Sequence, residues 1–175
     1  MHIWISSIFP AAGLGLALCA SASAADGDYC SNETLRGDYA FTINGQVFPP
    51  GGPVVTRDGV ALAHFDGNSV MSQSDFVMQY PDMMGGSSPV PNGDPPDAVT
   101  GFNVGEQGKY QVFENCTGWL EISFPPLGAG GAVIKGRFVL SDGGRAIHLT
   151  VYSAQPPHAS GPVPALIHSE GHKVR

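Results

Sequence analysis

Apolar side chains recur at every second position along most of this chain, and no other feature constrains its fold as strongly. In "GDYAFTING", for example, Tyr39, Phe41 and Ile43 share one face of an extended strand. Helical periodicity is almost absent. Seven or eight β-strands are therefore predicted, from "GDYAFTING" through "RDGVALAHFDGN", "SVMSQSDFVMQY", "GKYQVFEN", "TGWLEISF" and "AVIKGRFVL" to "RAIHLTVYSA".

Short turns between these strands predict how they are connected. The segments "DGN" at 66–68 and "DGG" at 142–144 lie between alternating runs, where a tight hairpin needs positive φ. Sequential strands joined in this way form an antiparallel meander, and closing it into a barrel removes its exposed edges. We therefore predict an all-β fold, a single antiparallel up-and-down β-barrel of about eight strands. A sandwich is the alternative, although it usually needs longer crossovers.

Two segments lack the alternation. The segment 81–100, "PDMMGGSSPVPNGDPPDAVT", is too rich in proline and glycine for a strand or a helix, so a long Pro/Gly/Met-rich loop near the barrel mouth is predicted. The residues from Gln155 to Arg175 contain only one short apolar patch, which predicts a flexible C-terminal tail. The barrel domain is thus expected to span residues 25–154 and the tail 155–175.

The first 24 residues predict export. Residues 3–20 are mostly apolar and carry no charge, and the small residues Ala22, Ser23 and Ala24 form a cleavage pattern. A signal peptide at 1–24 is the preferred interpretation, with a secreted or periplasmic location for the mature chain. A transmembrane anchor and lipidation of Cys19 are the alternatives, although Leu18 is larger than the residue that usually precedes a lipidated cysteine.

Cysteine content and charge limit the classes of partner. Removal of the leader leaves Cys30 and Cys116, which in an exported chain most often pair. The formal net charge is -7 and no basic run is present, which argues against nucleic acid and against an anionic membrane surface. No metal site, no cofactor and no membrane span after leader removal are expected. The oligomeric state is left open.

Four segments follow a common plan: "CSNETLRGDYAFTINGQ", "RDGVALAHFDGN", "GKYQVFENCTGWLEI" and "FVLSDGGRAIHLTV". Their plan is Cys-x-x-x-(Thr/Ser)-Leu-x-Gly-x-Tyr-x-Phe, a DG turn, and Gly-x-Tyr-x-Val-x-x-x-Cys-Thr-Gly. It resembles a group of uncharacterised exported bacterial small β-barrel proteins of lipocalin-like or allene-oxide-cyclase-like type. The resemblance covers nearly all of the mature chain except the loop and the tail. It implies a disulfide from Cys30 to Cys116 that ties the N-terminal lead-in across the barrel base, and it implies no particular activity.

The interior of a small barrel is the natural place for a binding site. Proton transfer by a histidine and a glutamate is one possible chemistry there, because histidine titrates near neutral pH and burial can raise the pKa of a glutamate. An outer, solvent-facing position is the alternative for every one of these residues. The candidate catalytic residues are His64, Glu121 and His148, and the candidate ligand-binding residues are Tyr39, Phe41, Trp119, Arg137 and Tyr152.

Three functions are compatible with such a barrel. The preferred hypothesis is binding of a small apolar or amphipathic ligand in the interior. The second is a cofactor-independent cyclase or isomerase that uses acid–base residues in the same cavity. The third is a structural or interaction module whose barrel is filled by its own side chains. A cavity too small for a ligand would favour the third, and a histidine within hydrogen-bond reach of Glu121 would favour the second.

Overall fold

The structure is a computed structural model that describes residues 29–81, 90–92, 100–124, 132–156 and 160–175. The predicted signal peptide and most of the predicted 81–100 loop lie outside these ranges. The described chain forms β-strands joined by turns and two short 3₁₀ turns, Asn32–Leu35 and Asp142–Gly144. The strands are β1 (Gly37–Val47), β2 (Val55–Phe65), β3 (Val70–Tyr80), β4 (Val90–Asn92), β5 (Asn103–Val112), β6 (Thr117–Ser123), β7 (Val133–Ser141), β8 (Ala146–Gln155) and β9 (Val163–Lys173).

Eight of these strands close into one antiparallel barrel. The hydrogen-bonded order is β2-β1-β9-β8-β7-β6-β5-β3, and β3 pairs again with β2. Every barrel strand therefore has two neighbours, and the described strands leave no long sheet edge open. The predicted up-and-down barrel of about eight strands is confirmed. The short strand β4 was not predicted, because it lies within the segment 81–100 that the sequence assigned to a loop. It pairs with residues 77–79 of β3.

The predicted flexible tail is corrected by the structure. Most of it forms β9, which pairs with β1 on one side and with β8 on the other, and so closes the barrel. The buried face of β9 includes small and polar residues, among them Ala165, Ser169 and Gly171, which is why its alternation was not recognised. The barrel therefore extends from β1 to Lys173 rather than ending at residue 154.

Aromatic rings fill one end of the barrel. Phe65 packs edge-to-face against Tyr39 and Tyr110, with ring centroids 5.4 and 5.0 Å apart. Tyr39 donates its hydroxyl proton to the carbonyl oxygen of Gly144 at 2.5 Å, and the backbone N–H of Gly67 donates to the Tyr110 hydroxyl at 2.9 Å. Buried phenol groups are thus hydrogen-bonded, and this end of the barrel is a packed base.

A disulfide between Cys30 and Cys116 ties the N-terminal lead-in to this base, as predicted. The two Cα atoms are 4.9 Å apart and the cysteines are 86 residues apart in sequence. The backbone N–H of Cys30 also donates to the carbonyl oxygen of Glu114. A loop of this length corresponds to about 4–5 kcal/mol of stabilisation in the chain-entropy model. No helix in the described ranges is long and apolar enough to cross a membrane.

Candidate functional site

A group of polar and charged side chains lies on the inner face of β2, β3 and β5, in an interior that is otherwise apolar. Its carboxyl groups are almost fully buried: Glu106 is 1% exposed and Asp75 is 4% exposed. Burial of a charged group without compensation is strongly unfavourable, so this composition is unusual for a barrel interior. We call this group the interior polar cluster, and it comprises Arg57, Gln73, Asp75, Gln79, Asn103 and Glu106.

A β-bulge in β5 brings part of the cluster together. Gln73 pairs with Glu106 and Asp75 pairs with Asn103, so one residue of β3 faces two residues of β5. Gly105, within the bulge, has a φ of 84°, a conformation that a glycine adopts without strain. In a regular strand, residues 103 and 106 would point to opposite faces. The bulge lets both point towards β3 carboxyl and amide groups inside the barrel.

Each carboxyl group of the cluster receives one amide hydrogen bond. The side-chain amide of Gln73 donates to Oε2 of Glu106 at 2.8 Å, and the side-chain amide of Asn103 donates to Oδ1 of Asp75 at 2.8 Å. Within the described ranges, Nε of Arg57 and Oε1 of Gln79 are buried and have no hydrogen-bond partner. Oε1 of Glu106 accepts no N–H, but the protonated Glu106 and the Asp75 carboxyl group share a hydrogen bond. A buried polar atom without a partner costs about 1–3 kcal/mol, so the atoms on Arg57 and Gln79 call for a functional explanation.

The two carboxyl groups hold protons more tightly than carboxyl groups in water. Burial raises the pKa of Glu106 to about 9, and the negative charge of Asp75 adds to the rise. Burial also raises the pKa of Asp75, against the opposing effects of the Asn103 hydrogen bond and the charge of Arg57. Burial lowers the pKa of the Arg57 guanidinium, while Asp75 opposes that shift. At neutral pH Glu106 is therefore a neutral acid beside a second carboxyl group.

The cluster borders a small cavity in the barrel. Its volume is about 50 Å³, room for about three water molecules and well below the roughly 300–1,000 Å³ of typical ligand pockets. For ligands of ordinary size this favours the filled-barrel alternative, and only a very small molecule fits the cavity as it stands. Arg57, Gln73 and Asp75 form its polar side. The apolar side includes Phe41, Ile43, Leu120, Leu149, Val151 and Ile167.

The predicted ligand-binding residues divide between the two faces of the barrel. Phe41 lines the cavity, as expected for an interior site, whereas Tyr39 is buried in the packed base. Trp119, Arg137 and Tyr152 lie on the outer face, because they alternate with buried neighbours along β6, β7 and β8. The Arg137 guanidinium lies 5.5 Å from the centre of the Tyr152 ring. The expectation that these three residues contact an interior ligand is therefore corrected.

The three candidate catalytic residues, His64, Glu121 and His148, are also on the outer face. The sequence had left this position open as the alternative to the interior. Glu121 forms an ion pair with Lys135 at 3.0 Å. His64 and His148 have other partners, described below, and neither is hydrogen-bonded to Glu121. The predicted histidine–glutamate pair inside the barrel is thus replaced by the carboxyl groups of Asp75 and Glu106.

No protein-family model matches the chain, and no curated protein or solved structure shows significant similarity to it. Function must therefore be inferred from the chemistry of the site itself. Within the described ranges, no three His, Cys, Asp or Glu side chains are placed to hold a metal ion. What the interior polar cluster offers is hydrogen-bond donors and acceptors, a neutral acid and a guanidinium beside an apolar wall.

Proposed function

We propose that the barrel binds a small amphipathic molecule in its interior, with the polar group of that molecule held by the interior polar cluster. The observation that carries this proposal is the Nε of Arg57, a buried donor without a partner in the described ranges, on the polar side of the cavity. Such an atom is unfavourable in a barrel that only needs to be stable. A ligand that accepts a hydrogen bond from it would gain an interaction that the protein alone does not make.

The cluster favours a ligand group that both donates and accepts hydrogen bonds. Arg57 donates through its Nε–H, and Gln73 and Asp75, which also line the cavity, offer an amide and a carboxyl group. A hydroxyl, an amide or a neutral carboxylic acid meets these requirements. The apolar part of the ligand would lie against Phe41 and Leu149. Because the cavity measures only about 50 Å³, the enclosed part contains few non-hydrogen atoms unless side chains move.

Acid–base catalysis in the same cavity is the second candidate function, and one observation favours it. Glu106, neutral at pH 7, lies in the same cluster as Asp75, so a proton donor and a proton acceptor occupy one site. A cofactor-independent isomerase needs such a pair. The residues would be Asp75 and Glu106 rather than His64, Glu121 and His148.

Export to a secreted or periplasmic location is part of the proposal. The Cys30–Cys116 disulfide supports it, because disulfides persist in oxidising compartments. Expression of the full chain, followed by mass measurement of the mature product, tests it. A product that begins near residue 25 supports export, and a full-length intracellular product opposes it.

Binding can be tested with small probes of matched size. Ethanol, acetamide and acetic acid would be titrated into methyl-labelled protein, and the methyl signals of Leu149, Val151 and Ile167 followed by NMR. Saturable shifts are expected for at least one probe. Native mass spectrometry of protein purified from its source would look for a co-purified molecule. Absence of saturable shifts together with absence of any co-purified molecule would favour the filled-barrel alternative.

Matched variants assign the binding to the cluster. Asp75→Asn keeps the shape of a side chain that lines the cavity but replaces the acid with an amide, and it should weaken probe binding about tenfold, the loss of one buried hydrogen bond. Glu121→Gln makes the same chemical change on the outer face and should leave binding unchanged. Equal effects of both variants would oppose the interior site.

A further inference from the structure

Three polar side chains lie in a row across the outer face of β1, β2 and β3. Asp38 is the direct cross-strand partner of His64, and His64 is the direct partner of Ser72. Directly opposed residues have Cβ atoms about 4.5–5.5 Å apart, so the three side chains are neighbours. An acid, an imidazole and a hydroxyl in this order are the parts of a nucleophilic catalytic triad.

The Asp38–His64 contact determines how the imidazole presents its second nitrogen. Nδ1 of His64 lies 2.7 Å from Oδ1 of Asp38. An ionised carboxylate only accepts hydrogen bonds, so Nδ1 carries the donated proton and Nε2 of a neutral ring has the free lone pair. Nε2 points away from Asp38, and the next strand in that direction is β3 with Ser72. No His64–Ser72 hydrogen bond is formed among the described residues, and rotation of the serine hydroxymethyl group is needed to make one.

The row borders a cleft that is large enough for part of a substrate. Asp38, His64 and Ser72 line a cleft of about 270 Å³ on the outer face of the barrel. Gln107, the cross-strand partner of Ser72 on β5, lines it as well. The side-chain amide of Gln107 is a hydrogen-bond donor on the far side of Ser72 from His64. It is therefore placed to stabilise negative charge that develops on a carbonyl oxygen at Ser72.

An apolar groove continues from this cleft. It has a volume of about 530 Å³ and shares Leu62 with the cleft. Val60 and Leu62 form part of its floor and Phe102 contributes to its wall. Val60 and Leu62 are 45% and 47% exposed, which is unusual for large apolar side chains at the centre of a strand. An apolar chain that lies in the groove would place its polar end at the row of three residues.

From this arrangement we propose that Asp38, His64 and Ser72 form a second site, on the outer face of the barrel, that hydrolyses esters of apolar carboxylic acids. The acyl chain lies along Val60 and Leu62, and the ester carbonyl lies over Ser72. Ser72 and His64 are the catalytic residues, and Asp38 is a positioning residue that holds the imidazole.

The reaction needs only the ester and water. Oγ of Ser72 bonds to the carbonyl carbon while its proton passes to Nε2 of His64. The tetrahedral oxyanion then collapses, the bond from carbon to the alcohol oxygen breaks, and the alcohol leaves with the proton from His64. Water attacks the acyl-serine and gives a proton to His64. That proton returns to Oγ of Ser72 as the acid is released, so ester and water become acid and alcohol.

A second serine–histidine pair provides an internal comparison. Oγ of Ser141 lies 3.0 Å from Nε2 of His148 on the outer face of β7 and β8. The carboxylate opposite His148 belongs to Glu170, which lies 3.3 Å from Nε2 of His172 instead. Within the described part of the chain, His148 therefore has no carboxylate partner that orients it. The proposal requires that Ser72, and not Ser141, reacts with a serine-directed reagent.

The first test is covalent labelling. The full-chain protein would be incubated with an alkyl fluorophosphonate and the modified peptide identified by mass spectrometry. One adduct on Ser72 is expected, and Ser72→Ala should remove it. Ser74→Ala changes the same residue type two positions along β3, opposite Leu62, and should retain the label. No adduct, or an adduct on Ser141, would overturn the proposal.

The second test is turnover of 4-nitrophenyl butyrate and 4-nitrophenyl acetate. Ser72→Ala and His64→Gln should lower kcat about 100-fold or more, and Asp38→Asn should lower kcat with little change in KM. Leu62→Ser should raise KM for the butyrate ester more than for the acetate ester. Circular dichroism would verify that each variant is folded. Equal turnover by the parent protein and Ser72→Ala would contradict the proposal, whereas Glu121→Gln, on the outer face of β6, should not affect this activity.

Discussion

At the scale of single residues, the protonation of Glu106 links folding to pH. Burial raises its pKa from the ordinary value of 4.5 to about 9 in the folded barrel, so the folded state binds more protons between these values. The free energy of unfolding should therefore fall as pH rises from about 5 to 9, by up to about 1.4 kcal/mol per pH unit. Asp75, whose pKa is also raised by burial, acts in the same direction.

Urea denaturation at pH 5, 7 and 8.5 measures this effect. Glu106→Gln removes the titrating group, so the variant should gain stability relative to the parent protein as pH rises. Glu121→Gln removes an outer-face carboxylate and should change the free energy of unfolding by no more than about 1 kcal/mol. A parent protein and a Glu106→Gln variant whose difference in stability is independent of pH would show that Glu106 is not protonated in the barrel at neutral pH.

Single residues were also the scale at which the sequence was least informative. In β2 the large residues Val60 and Leu62 are exposed while Ala61 and Ala63 are buried, so side-chain size does not indicate which face is inside. The sequence left open which face of each strand is inside, and His64, a candidate for an interior site, lies on the outer face. The faces are determined instead by cross-strand packing, in which Phe65 contacts aromatic rings of β1 and β5.

At the scale of the element, close packing of β9 on β1 depends on a glycine. A Cβ atom at Gly171 would lie only 2.3 Å from Cε1 of Phe41. Gly171→Ala should therefore destabilise the protein by about 1–3 kcal/mol, as overpacked cores do. Guanidinium denaturation would measure the change. Gly161→Ala is the matched control, because a Cβ there meets no atom within 4 Å.

A double variant tests the contact itself. Phe41→Leu replaces the ring that packs against Gly171 with a smaller side chain. The losses in the free energy of unfolding caused by Gly171→Ala and Phe41→Leu should therefore be less than additive, by about 0.5 kcal/mol or more. Additive costs would show that Gly171 is required for another reason.

The elements differ in how visible they were in the sequence. Strands with large apolar residues at alternate positions, such as β1 and β6, were recognised because sheet burial selects those residues. The strand β9 was missed because its inner face is partly small or polar. The bulge at Gly105 was missed as well, since one glycine in a strand is compatible with many backbone geometries. That bulge brings Asn103 and Glu106 of β5 into the interior polar cluster.

At the scale of the whole molecule, closure was predictable and the site was not. Short turns between alternating runs leave few arrangements, and a closed meander is the one that protects its edges. The interior polar cluster depends on three strands meeting in one register, which local patterns do not encode. The candidate catalytic residues His64 and His148 lie on the outer face of the barrel, which local sequence patterns also did not indicate.

The disulfide should contribute to global rather than local stability. Cys30→Ser with Cys116→Ser opens a loop of 86 residues, and about 4–5 kcal/mol of stability should be lost in the chain-entropy model. Urea denaturation of the parent protein with and without reductant measures the same quantity. Reductant should have no effect on the double-serine variant, which controls for other actions of the reagent. An unchanged midpoint on reduction would contradict a stabilising role.

Barrel closure by β9 makes the C-terminal residues indispensable. A chain that ends at residue 162 lacks β9, so β1 and β8 become open edges and half of their hydrogen-bonding groups lose their partners. Such a chain should fail to unfold cooperatively and should aggregate, as followed by size-exclusion chromatography and thermal melting. Removal of Arg175 alone is the control, since it leaves all of β9 in place. A monomeric, cooperatively unfolding protein without residues 163–175 would mean that the remaining seven strands close on their own, and the inner face that positions Arg57, Asp75 and Glu106 would then not require β9.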